Sequence, residues 1–306
     1  MKKILMLTSR ESDRVTLLGQ KVRPFLPKNV TLEIVLLSEV AIEVASQTPV
    51  VLVKGEPIQA FDLIYFRGIT LNSMIFVSAL AIIFKRQRIK YFDTIYENGG
   101  IIKNKFASLV TLALSGVPIP HFLFYPKFDK GETRFKTIAD KFGLPFVAKE
   151  LSLQRGKGVH LIKRLVDYQA LPQLDTHEGG NFYLYQEFLP IDHEYRVLVL
   201  GKSVGVWEEK IAQTPGEFRN NVALGAKEVF LEVKKIPQSI ASVAIKSAVV
   251  LNVQVAGVDV MRTTSGEIFV IEVNRGPGMT YINESPEFEA LACFFKKEVT
   301  KPAWLK

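Results

Sequence analysis

The segment from residue 257 to residue 280 limits the choice of fold most strongly, because it has the alternation of a β-hairpin. Val258 and Val260 are the apolar positions of its first strand. The apolar positions of the second strand are Phe269, Ile271 and Val273. This alternation predicts two half-buried strands whose apolar faces turn toward a core.

The opposite face of the hairpin carries three oxygen-bearing side chains, Asp259, Glu272 and Asn274. If residues 264 and 265 form a two-residue turn, Asp259 lies opposite Val270 and Glu272 lies on the diagonal, roughly 7 Å away. Asn274 follows further along the same face. The three side chains are therefore predicted to converge as metal ligands.

Two carboxylates and an amide oxygen, with no cysteine or histidine beside them, suit a hard cation that keeps some water and takes further ligands from a phosphate chain. Magnesium bound to a nucleotide is the natural candidate, with manganese as an alternative cation. The competing interpretation is an acidic hairpin exposed to solvent. Such a hairpin seldom places all three ligands on the face away from the core.

Length and hydropathy indicate a globular chain outside the membrane. Its 306 residues allow roughly two or three compact units. The longest apolar stretch, residues 74 to 84, is too short to cross a bilayer and ends in a basic run, which predicts a core helix. The N-terminal run breaks off before a signal-peptide core can form, and the single cysteine, Cys293, fits a reducing compartment. We therefore expect no membrane association and a cytoplasmic location.

The formal charge of +8 has two explanations. Nucleic-acid binding would concentrate basic residues in one run or in an aromatic-interleaved motif, whereas here they are distributed along the chain. A cleft for an anionic small ligand accounts for the charge equally well. Nucleic acid is therefore the less favoured partner.

Three short apolar runs near the N-terminus predict strands separated by helix-length segments, which implies a small α/β first domain. They are residues 3 to 7, 32 to 37 and 63 to 66. A turn signal at residues 98 to 100, followed by helical character from 105 to 115, begins a second unit. The predicted domains are residues 1–97, 98–182 and 183–306.

A glycine-bearing loop follows a predicted strand that ends in Lys149 and precedes another predicted strand. Gly156 and Gly158 permit positive φ and a close backbone approach to phosphate, while Lys149 and Lys157 supply charge. Ordinary surface hairpins contain similar loops, and the Walker pattern is absent from the sequence. The loop therefore indicates a phosphate lid only in company with other motifs.

Eight motifs occur in order along the chain. They are Asn104-Lys105, Lys149, Gly156-Lys157-Gly158, Tyr185-Gln186-Glu187-Phe188, Glu194-Tyr195-Arg196, Phe218-Arg219-Asn220-Asn221, Ala256-Gly257-Val258-Asp259 and Glu272-Val273-Asn274-Arg275-Gly276-Pro277-Gly278. Together they resemble ATP-grasp enzymes of the RimK-like glutamate-ligase type, over residues 98 to 295. The resemblance implies a chain that combines two fold classes, α/β and α+β. Two α+β subdomains of an ATP-grasp fold would sandwich ATP, after a small α/β domain that helps to form the acceptor site.

The resemblance also implies which residues bind the nucleotide. They are Lys105, Lys149, Gly156, Lys157, Gly158, Gln186, Glu187, Phe188, Leu189 and Glu194. The lysines and the glycine loop would contact the phosphates. The hinge from residue 187 to residue 189 would hold adenine largely through backbone groups, and Glu194 would hold the ribose hydroxyls.

The same resemblance implies the metal and catalytic residues. Magnesium would be bound by Asp259, Glu272 and Asn274. The transferring phosphate, or the acyl-phosphate intermediate, would be reached by Arg219 and Asn221, with Arg196 nearby. An arginine and two amides beside a glycine-bearing loop are a good composition for recognising an oxyanion.

Arg67, Arg275 and Gly276 are weaker candidates for substrate binding. Arg67 follows a predicted strand of the first domain and would clamp a substrate carboxylate, although a salt bridge to another domain is an equally good interpretation. Arg275 and Gly276 follow the asparagine of the last motif, where some relatives carry small residues.

The activity implied by the resemblance is amide-bond formation at the expense of ATP. A substrate carboxylate attacks the γ-phosphate, and an amine then displaces phosphate from the acyl phosphate. Positioning and charge neutralisation suffice for this chemistry, which accounts for the lack of a Ser/His/Asp arrangement.

The substrates would be small-molecule or peptide carboxylates and amines, with glutamate or another amino acid as one candidate, and assembly into a homo-oligomer is consistent with the relatives. The alternative is an ATP-binding regulatory protein that keeps the ATP-grasp fold without turnover.

Overall fold

Strands and helices alternate in the first part of the chain and give way to longer runs of strands later. The computed structural model describes residues 1–45, 48–98, 105–151, 158–174, 182–211, 227–281 and 285–301. The strands are β1 (Lys2–Thr8), β2 (Val30–Leu36), β3 (Val40–Ala45), β4 (Thr48–Val53), β5 (Glu56–Pro57), β6 (Leu63–Phe66), β7 (Tyr91–Phe92), β8 (Phe122–Phe124), β9 (Phe146–Glu150), β10 (Val159–Ile162), β11 (Tyr183–Glu187), β12 (Ile191–Leu200), β13 (Ser203–Ile211), β14 (Lys227–Leu231), β15 (Val255–Thr263) and β16 (Ile268–Arg275). The helices are α1 (Asp13–Val22), α2 (Met74–Gln87), α3 (Lys105–Leu114), α4 (Glu132–Phe142), α5 (Leu165–Gln169), α6 (Gln238–Val250) and α7 (Pro286–Thr300).

The first sheet is parallel, in the order β2-β1-β6-β7. The central part of β1 and all of β6 are apolar and buried because helices cover both faces, whereas β2 at the edge exposes Thr31 and Glu33. Along β1, Ile4 and Met6 pack into the core that contains α1 and α7, whereas Leu5 and Leu7 pack into the core that contains α2. A small antiparallel sheet, β3-β4-β5, stands beside this one.

The second sheet is antiparallel, in the order β10-β9-β11-β8. Its core is rich in aromatic side chains, among them Phe146 of β9, Tyr185 of β11, Phe135 of α4 and Tyr168 of α5. α4 and α5 therefore cover one face of the sheet. The other face is left to line the site described below.

The third sheet is antiparallel, in the order β14-β13-β12-β15-β16. Val197 and Val199 of β12 pack into the core that contains α6, while Leu198 and Leu200 pack into the core that contains α7. α7 also contacts β1, so one helix joins the first sheet to the third. No helix in the described segments has the length and apolar character needed to span a membrane.

Most of the predicted elements are confirmed within a residue or two. The predicted strands at residues 3 to 7 and 63 to 66 are β1 and β6, and the predicted core helix with its basic end is α2. The predicted boundary at residue 182 falls just before β11, which belongs to the second sheet. The division into three domains stays a prediction.

Burial of β1 on both faces leads to a stability prediction. Ile4→Ala and Leu5→Ala should each lower the free energy of unfolding by about 2–5 kcal/mol, because each leaves a cavity in a different core. Urea unfolding of the two variants measures this. Lys2→Ala, which removes an exposed ion pair with Asp62, serves as the control and should cost at most about 1 kcal/mol. If only one of the two core variants were destabilised, one face of β1 would be open to solvent.

Candidate active site

The hairpin of β15 and β16 has a different register from the one predicted. Asp259 lies directly opposite Glu272, and Val260 lies opposite Val270, so the predicted pairing of Asp259 with Val270 is wrong. Two shifts of one residue combine. The turn holds three residues, since the Thr263 N–H donates to the Glu267 carbonyl, and a bulge follows between Asp259 and Val260.

The change of register also changes which residues of β16 face the core. Val270 is fully buried, whereas Phe269 and Ile271 are only half-buried, so their assignment to the core face is wrong. Val258 and Val260 are core residues as predicted. A single extra residue reverses the two faces of a strand because its side chains alternate with a period of two.

Asp259 is the most heavily bonded carboxylate on this face of the third sheet. Arg196 binds it in a bidentate manner, with Nε donating to Oδ1 at 2.9 Å and one terminal nitrogen donating to Oδ2 at 2.9 Å. Lys210 Nζ donates to Oδ1 at 2.8 Å, and Asn274 Nδ2 donates to Oδ2 at 3.3 Å. A carboxylate accepts about four hydrogen bonds, so these donors saturate it.

The partners of Asp259 determine its charge. Burial alone would raise the pKa of this carboxyl, but the charges and hydrogen bonds of Arg196 and Lys210 outweigh burial and hold the pKa well below its usual range. The same network raises the pKa of the Arg196 guanidinium, chiefly through the Asp259 charge. The carboxylate and both cations are therefore ionised together at neutral pH.

Glu194 belongs to the same network. Lys210 Nζ donates to its Oε1 at 3.1 Å, and both side chains are buried. Burial raises the pKa of the Glu194 carboxyl, the Lys210 charge opposes this, and Asp259 reinforces it. The predicted contact of Glu194 with ribose stays a prediction, since in this structure its partner is a lysine.

Two lysines approach Glu272 from outside the third sheet. Lys105 begins α3, and its Nζ lies 3.9 Å from Glu272 Oε1. Lys149, on β9 of the second sheet, has its pKa lowered to about 8, first by burial and then by the charge of Lys105, while Glu272 acts in the opposite direction. The structure thus gathers both predicted phosphate-binding lysines beside a predicted metal ligand.

The predicted adenine hinge follows β11. Gln186 is 3% exposed, and its side-chain Nε2 is buried without a hydrogen-bond partner. Glu187 Oε1 accepts the backbone N–H of His121 at 2.7 Å, which fixes the edge of the second sheet. Phe188 and Leu189 are half-buried beyond the strand.

Four predicted site residues lie outside the described residues, namely Gly156, Lys157, Arg219 and Asn221. Gly158 is described and has a φ of 70°, a conformation that favours glycine. Its carbonyl accepts the backbone N–H of Glu150 at 2.8 Å, so the end of the predicted phosphate loop is fastened to β9.

Arg67, Arg275 and Gly276 lie where the first sheet meets the end of β16. Arg67 donates from one terminal nitrogen to the Pro277 carbonyl at 2.6 Å, and a Cβ at Gly276 would lie 3.0 Å from its other terminal nitrogen. The Arg275 guanidinium lies 4.4 Å from the centre of the Tyr96 ring. These contacts join two parts of the fold, and the substrate role of the three residues stays a prediction.

Sequence reasoning missed two charged residues of this face, Glu208 and Lys210. Both are nearly fully buried on β13, and Glu208 is paired with Arg196 across the ladder. Their spacing of two residues within a strand was the available signal, since it places both side chains on one face. The residues that pair with Glu208 and Lys210 on that face lie on other strands.

Solved structures share the ATP-grasp fold over almost the whole chain. The ATP-grasp ligase PsnB, complexed with a minimal precursor, Mg and ADP, superposes with a TM-score of 0.72 at 14% identity, covering 97% of this chain and 97% of that one. The RimK domain ATP-grasp protein from Sphaerobacter thermophilus gives 0.62 at 18% identity, covering 98% of this chain and all of that one. The protein therefore has the ATP-grasp fold.

The family follows from the sequence match. The model of the RimK-like ATP-grasp domain matches residues 102–291, and the chain belongs to this family. A protein of Legionella pneumophila (strain Corby) named a probable alpha-L-glutamate ligase is 33% identical over 185 residues. That alignment covers 60% of this chain and 58% of the relative, so the match spans little more than half of the relative's length.

The ion network gives a stability prediction with a matched control. Arg196→Met should lower the free energy of unfolding by about 3 kcal/mol or more, because it leaves a buried carboxylate short of a partner. Arg262→Met, which removes an exposed pair with Asp192 on the same strand pair, should cost at most about 1 kcal/mol. Urea unfolding at pH 7 measures both. Equal small losses would show that Lys210 alone can hold Asp259.

The network also predicts a pH dependence. The folded pKa of Asp259 lies below its unfolded value of about 3.9, so the stabilisation is present above that pH and is lost as pH falls toward the folded pKa. The difference between the original protein and Arg196→Met should be constant from pH 5 to pH 7 and begin to shrink below about pH 4. Urea titrations across this range measure the difference. A difference that grew in acid would contradict the prediction.

Proposed function

We propose that this protein is an ATP-dependent carboxylate-amine ligase, which forms an amide bond through an acyl phosphate and releases ADP and phosphate. The observation that carries the proposal is the convergence of Lys105 and Lys149 on Glu272, beside Asp259 and Asn274. Cations beside carboxylates are the arrangement needed to hold a metal-bound polyphosphate. Family membership supports the same activity.

The nucleotide would lie between the second and third sheets. Lys105 and Lys149 would contact the phosphates, with Gly158 at the end of the phosphate loop. The buried Nε2 of Gln186 has no partner and would donate to the nucleotide beside the hinge at residues 187 to 189. The solved PsnB structure named above contains ADP and Mg, which supports a nucleotide and magnesium as ligands of this fold.

The donor set fits magnesium, although Asp259 would have to release one of its present donors. The amide oxygen of Asn274 remains available to a metal, because it is the amide nitrogen that donates to Asp259. Glu272 is also available, since Lys105 Nζ lies as far as 3.9 Å from its Oε1. Two carboxylates and an amide oxygen are hard ligands of the kind that magnesium or manganese prefers. When bound, the cation would act as a Lewis acid on the phosphate oxygens.

The chain's own residues would position and neutralise the reacting groups. Lys149 would offset the charge on the phosphoryl group during its transfer to the substrate carboxylate. Its side chain is half-buried, and a positive charge stabilises a phosphoryl group more strongly where little water is present. Arg196, with Arg219 and Asn221, would stabilise the acyl phosphate until the amine displaces phosphate. No protein nucleophile is needed.

The relatives support a substrate class for this proposal. Relatives named probable alpha-L-glutamate ligases support glutamate or another amino acid as the amine, and a PsnB structure complexed with a precursor peptide supports a peptide carboxylate, with a small-molecule carboxylate as the other candidate. Arg67, after β6, and Arg275 and Gly276, at the end of β16, would help to select it. Cytoplasmic location and assembly into a homo-oligomer remain part of this proposal.

One observation favours the alternative, an ATP-binding regulatory protein without turnover. The four hydrogen bonds to Asp259 come from protein groups, so metal binding must compete with a stable ion network. If Arg196 and Lys210 do not yield, the metal would be held by Glu272 and Asn274 alone. Such a site would bind nucleotide without turnover.

Magnesium-dependent ADP release tests the ligase. The purified protein is assayed with a panel of amino acids, glutamate-rich peptides and small carboxylates, and one donor-acceptor pair should stimulate release. Asp259→Ala/Glu272→Ala should lower this rate by about 100-fold or more, the scale expected when charge stabilisation is removed. Asp192→Asn, an exposed carboxylate on β12, is the matched control and should leave the rate unchanged. ATP binding without turnover would favour the regulatory protein, and no ATP binding would overturn both.

Chemical labelling tests the nucleotide site independently of turnover. With its pKa lowered to about 8, Lys149 should be about half uncharged at pH 8, whereas an ordinary lysine, with a pKa of about 10.4, is less than 1% uncharged. Brief acetylation followed by mass spectrometry should therefore label Lys149 ahead of the exposed Lys136, whose pKa is raised by Glu132. Mg-ADP should protect Lys149 and leave Lys136 reactive. Labelling of Lys149 that ADP does not slow would contradict the proposed site.

A further inference from the structure

Three carboxylates that the proposed nucleotide and metal site does not use meet where α7 covers the third sheet. Glu208 lies on β13, Glu228 lies on β14, and Glu287 lies in the first turn of α7. Glu208 is 3% exposed and Glu287 is 4% exposed, while Glu228 is half-buried. These three residues are referred to below as the carboxylate cluster.

Two members of the carboxylate cluster are fixed by the residues that precede α7. The hydroxyl of Thr280 donates to Glu228 Oε2 at 2.7 Å, and the backbone N–H of Thr280 donates to Glu287 Oε2 at 2.7 Å. The Ser285 hydroxyl also donates to Glu287 Oε2, at 2.9 Å. One threonine therefore holds two carboxylates close together.

Glu208 is the member without such support. Its Oε2 is buried and has no hydrogen-bond partner, although native proteins rarely leave a buried polar atom in this state. Burial, followed by the charges of Glu228 and Glu287, raises its pKa to about 8, while Arg196 and Lys210 act in the opposite direction. Glu208 Oε2 therefore has a hydrogen bond left to accept.

The strand pairing places this unsatisfied carboxyl group in line with the candidate active site. Glu208 is opposite Arg196, Arg196 is opposite Asp259, and Asp259 is opposite Glu272. Neighbouring strands lie about 4.8 Å apart, so Glu208 lies about 10 Å along the sheet from Asp259. A group bound at Glu208 would thus lie about two strand spacings from Asp259 along the sheet.

We propose that the carboxylate cluster is the subsite for the ammonium group of the amine substrate, and that Glu208 touches this group and accepts a proton from it. The inference rests on the proposed ligase function and adds the residue that recognises the second substrate. An ammonium group is compact and has three N–H donors, which suits a position between several carboxylates. A neutral group would leave an ionised Glu208 without a counter-charge, and an anionic group would add to the repulsion.

The ammonium nitrogen loses two protons during the step. The ammonium nitrogen gives one proton to the Glu208 carboxylate, and its freed lone pair forms the C–N bond to the acyl carbon. The bond from that carbon to the phosphate oxygen then breaks, and its electron pair leaves with phosphate. The second proton lost by the nitrogen departs with the phosphate, and Glu208 returns its proton to water.

The competing interpretation is that Glu208 is a buried, neutral acid that only fills space between β13 and α7. It predicts a loss of stability on substitution but no selective effect on an amine. Glu208→Gln keeps the size of the side chain and removes its charge. Glu209→Gln is the matched control, because Glu209 is the next residue on β13, points to the opposite face and pairs with His193.

The first measurement compares two ligands that differ only in the amine. Calorimetric titration of the Mg-ADP complex with L-glutamate and with glutarate should show a preference for glutamate of about tenfold or more. Glu208→Gln should abolish most of this preference, and Glu209→Gln should keep it. Binding of Mg-ADP by each variant verifies folding. If Glu208→Gln does not fold, the half-buried Glu228→Gln replaces it, with a smaller loss expected.

The second measurement separates the amine step from formation of the acyl phosphate. Hydroxylamine is largely uncharged at neutral pH and traps an acyl phosphate without needing an ammonium site. With a glutamate peptide as carboxylate, Glu208→Gln should still form hydroxamate while its kcat/KM for L-glutamate falls at least tenfold. Equal losses in both reactions would overturn the inference.

A pH profile distinguishes the proton acceptor from a purely structural residue. As pH rises from 7 to 8.5, Glu208 loses its proton, so the preference for glutamate over glutarate should increase in the original protein and stay flat in Glu208→Gln. If the original protein shows no preference for glutamate over glutarate, the inference is overturned, even when hydroxamate forms. If it forms neither hydroxamate nor amide with any carboxylate, the proposed function itself fails, and the inference fails with it.

Discussion

The buried carboxylate of Asp259 imposes the main constraint on the third sheet. An ionised carboxylate away from water needs charged partners, and Arg196 and Lys210 supply them from two successive strands. Lys210 in turn binds Glu194, so the ion pairs extend across β13, β12 and β15. A shift of one residue in any of these strands would separate the charges and expose apolar side chains in their place, so the network and the register support each other.

The candidate active site lies where the second sheet approaches this network. Lys105 and Lys149 repel each other, and the lowered pKa of Lys149 reflects both burial and that repulsion. Glu272 offsets only part of the positive charge. The arrangement favours an anion that can neutralise both lysines, and a metal-bound polyphosphate supplies negative charge and completes the ligands of the carboxylates. The same charges would be costly to keep together without a ligand.

The first sheet is fastened to the end of the hairpin that carries the site. The Asp93 carboxylate accepts the backbone N–H groups of Gln254 and Val255, just at the start of β15. Arg67 donates a hydrogen bond to the Pro277 carbonyl, after the end of β16. Burial raises the pKa of Asp93 to about 7, with the two backbone hydrogen bonds and the charges of Arg275 and Arg67 opposing it. The first sheet is thus joined to the start of β15 and to the residues after β16. A substrate bound by the first sheet would therefore have a fixed position relative to Asp259 and Glu272.

The sequence by itself determined the strands and helices that carry the motifs, and the order of the motifs, because alternation, turn residues and local composition act over a few residues. It therefore predicted that Asp259, Glu272 and Asn274 converge, and the resemblance to ATP-grasp enzymes added Lys105 and Lys149 to the same predicted site. The tertiary structure alone decided that Asp259 faces Glu272 and that Val270, not Phe269 or Ile271, enters the core. It alone decided that Arg196, Lys210 and Glu208 share one face with Asp259, since partners on other strands depend on register, which one additional turn residue and one bulge are enough to change.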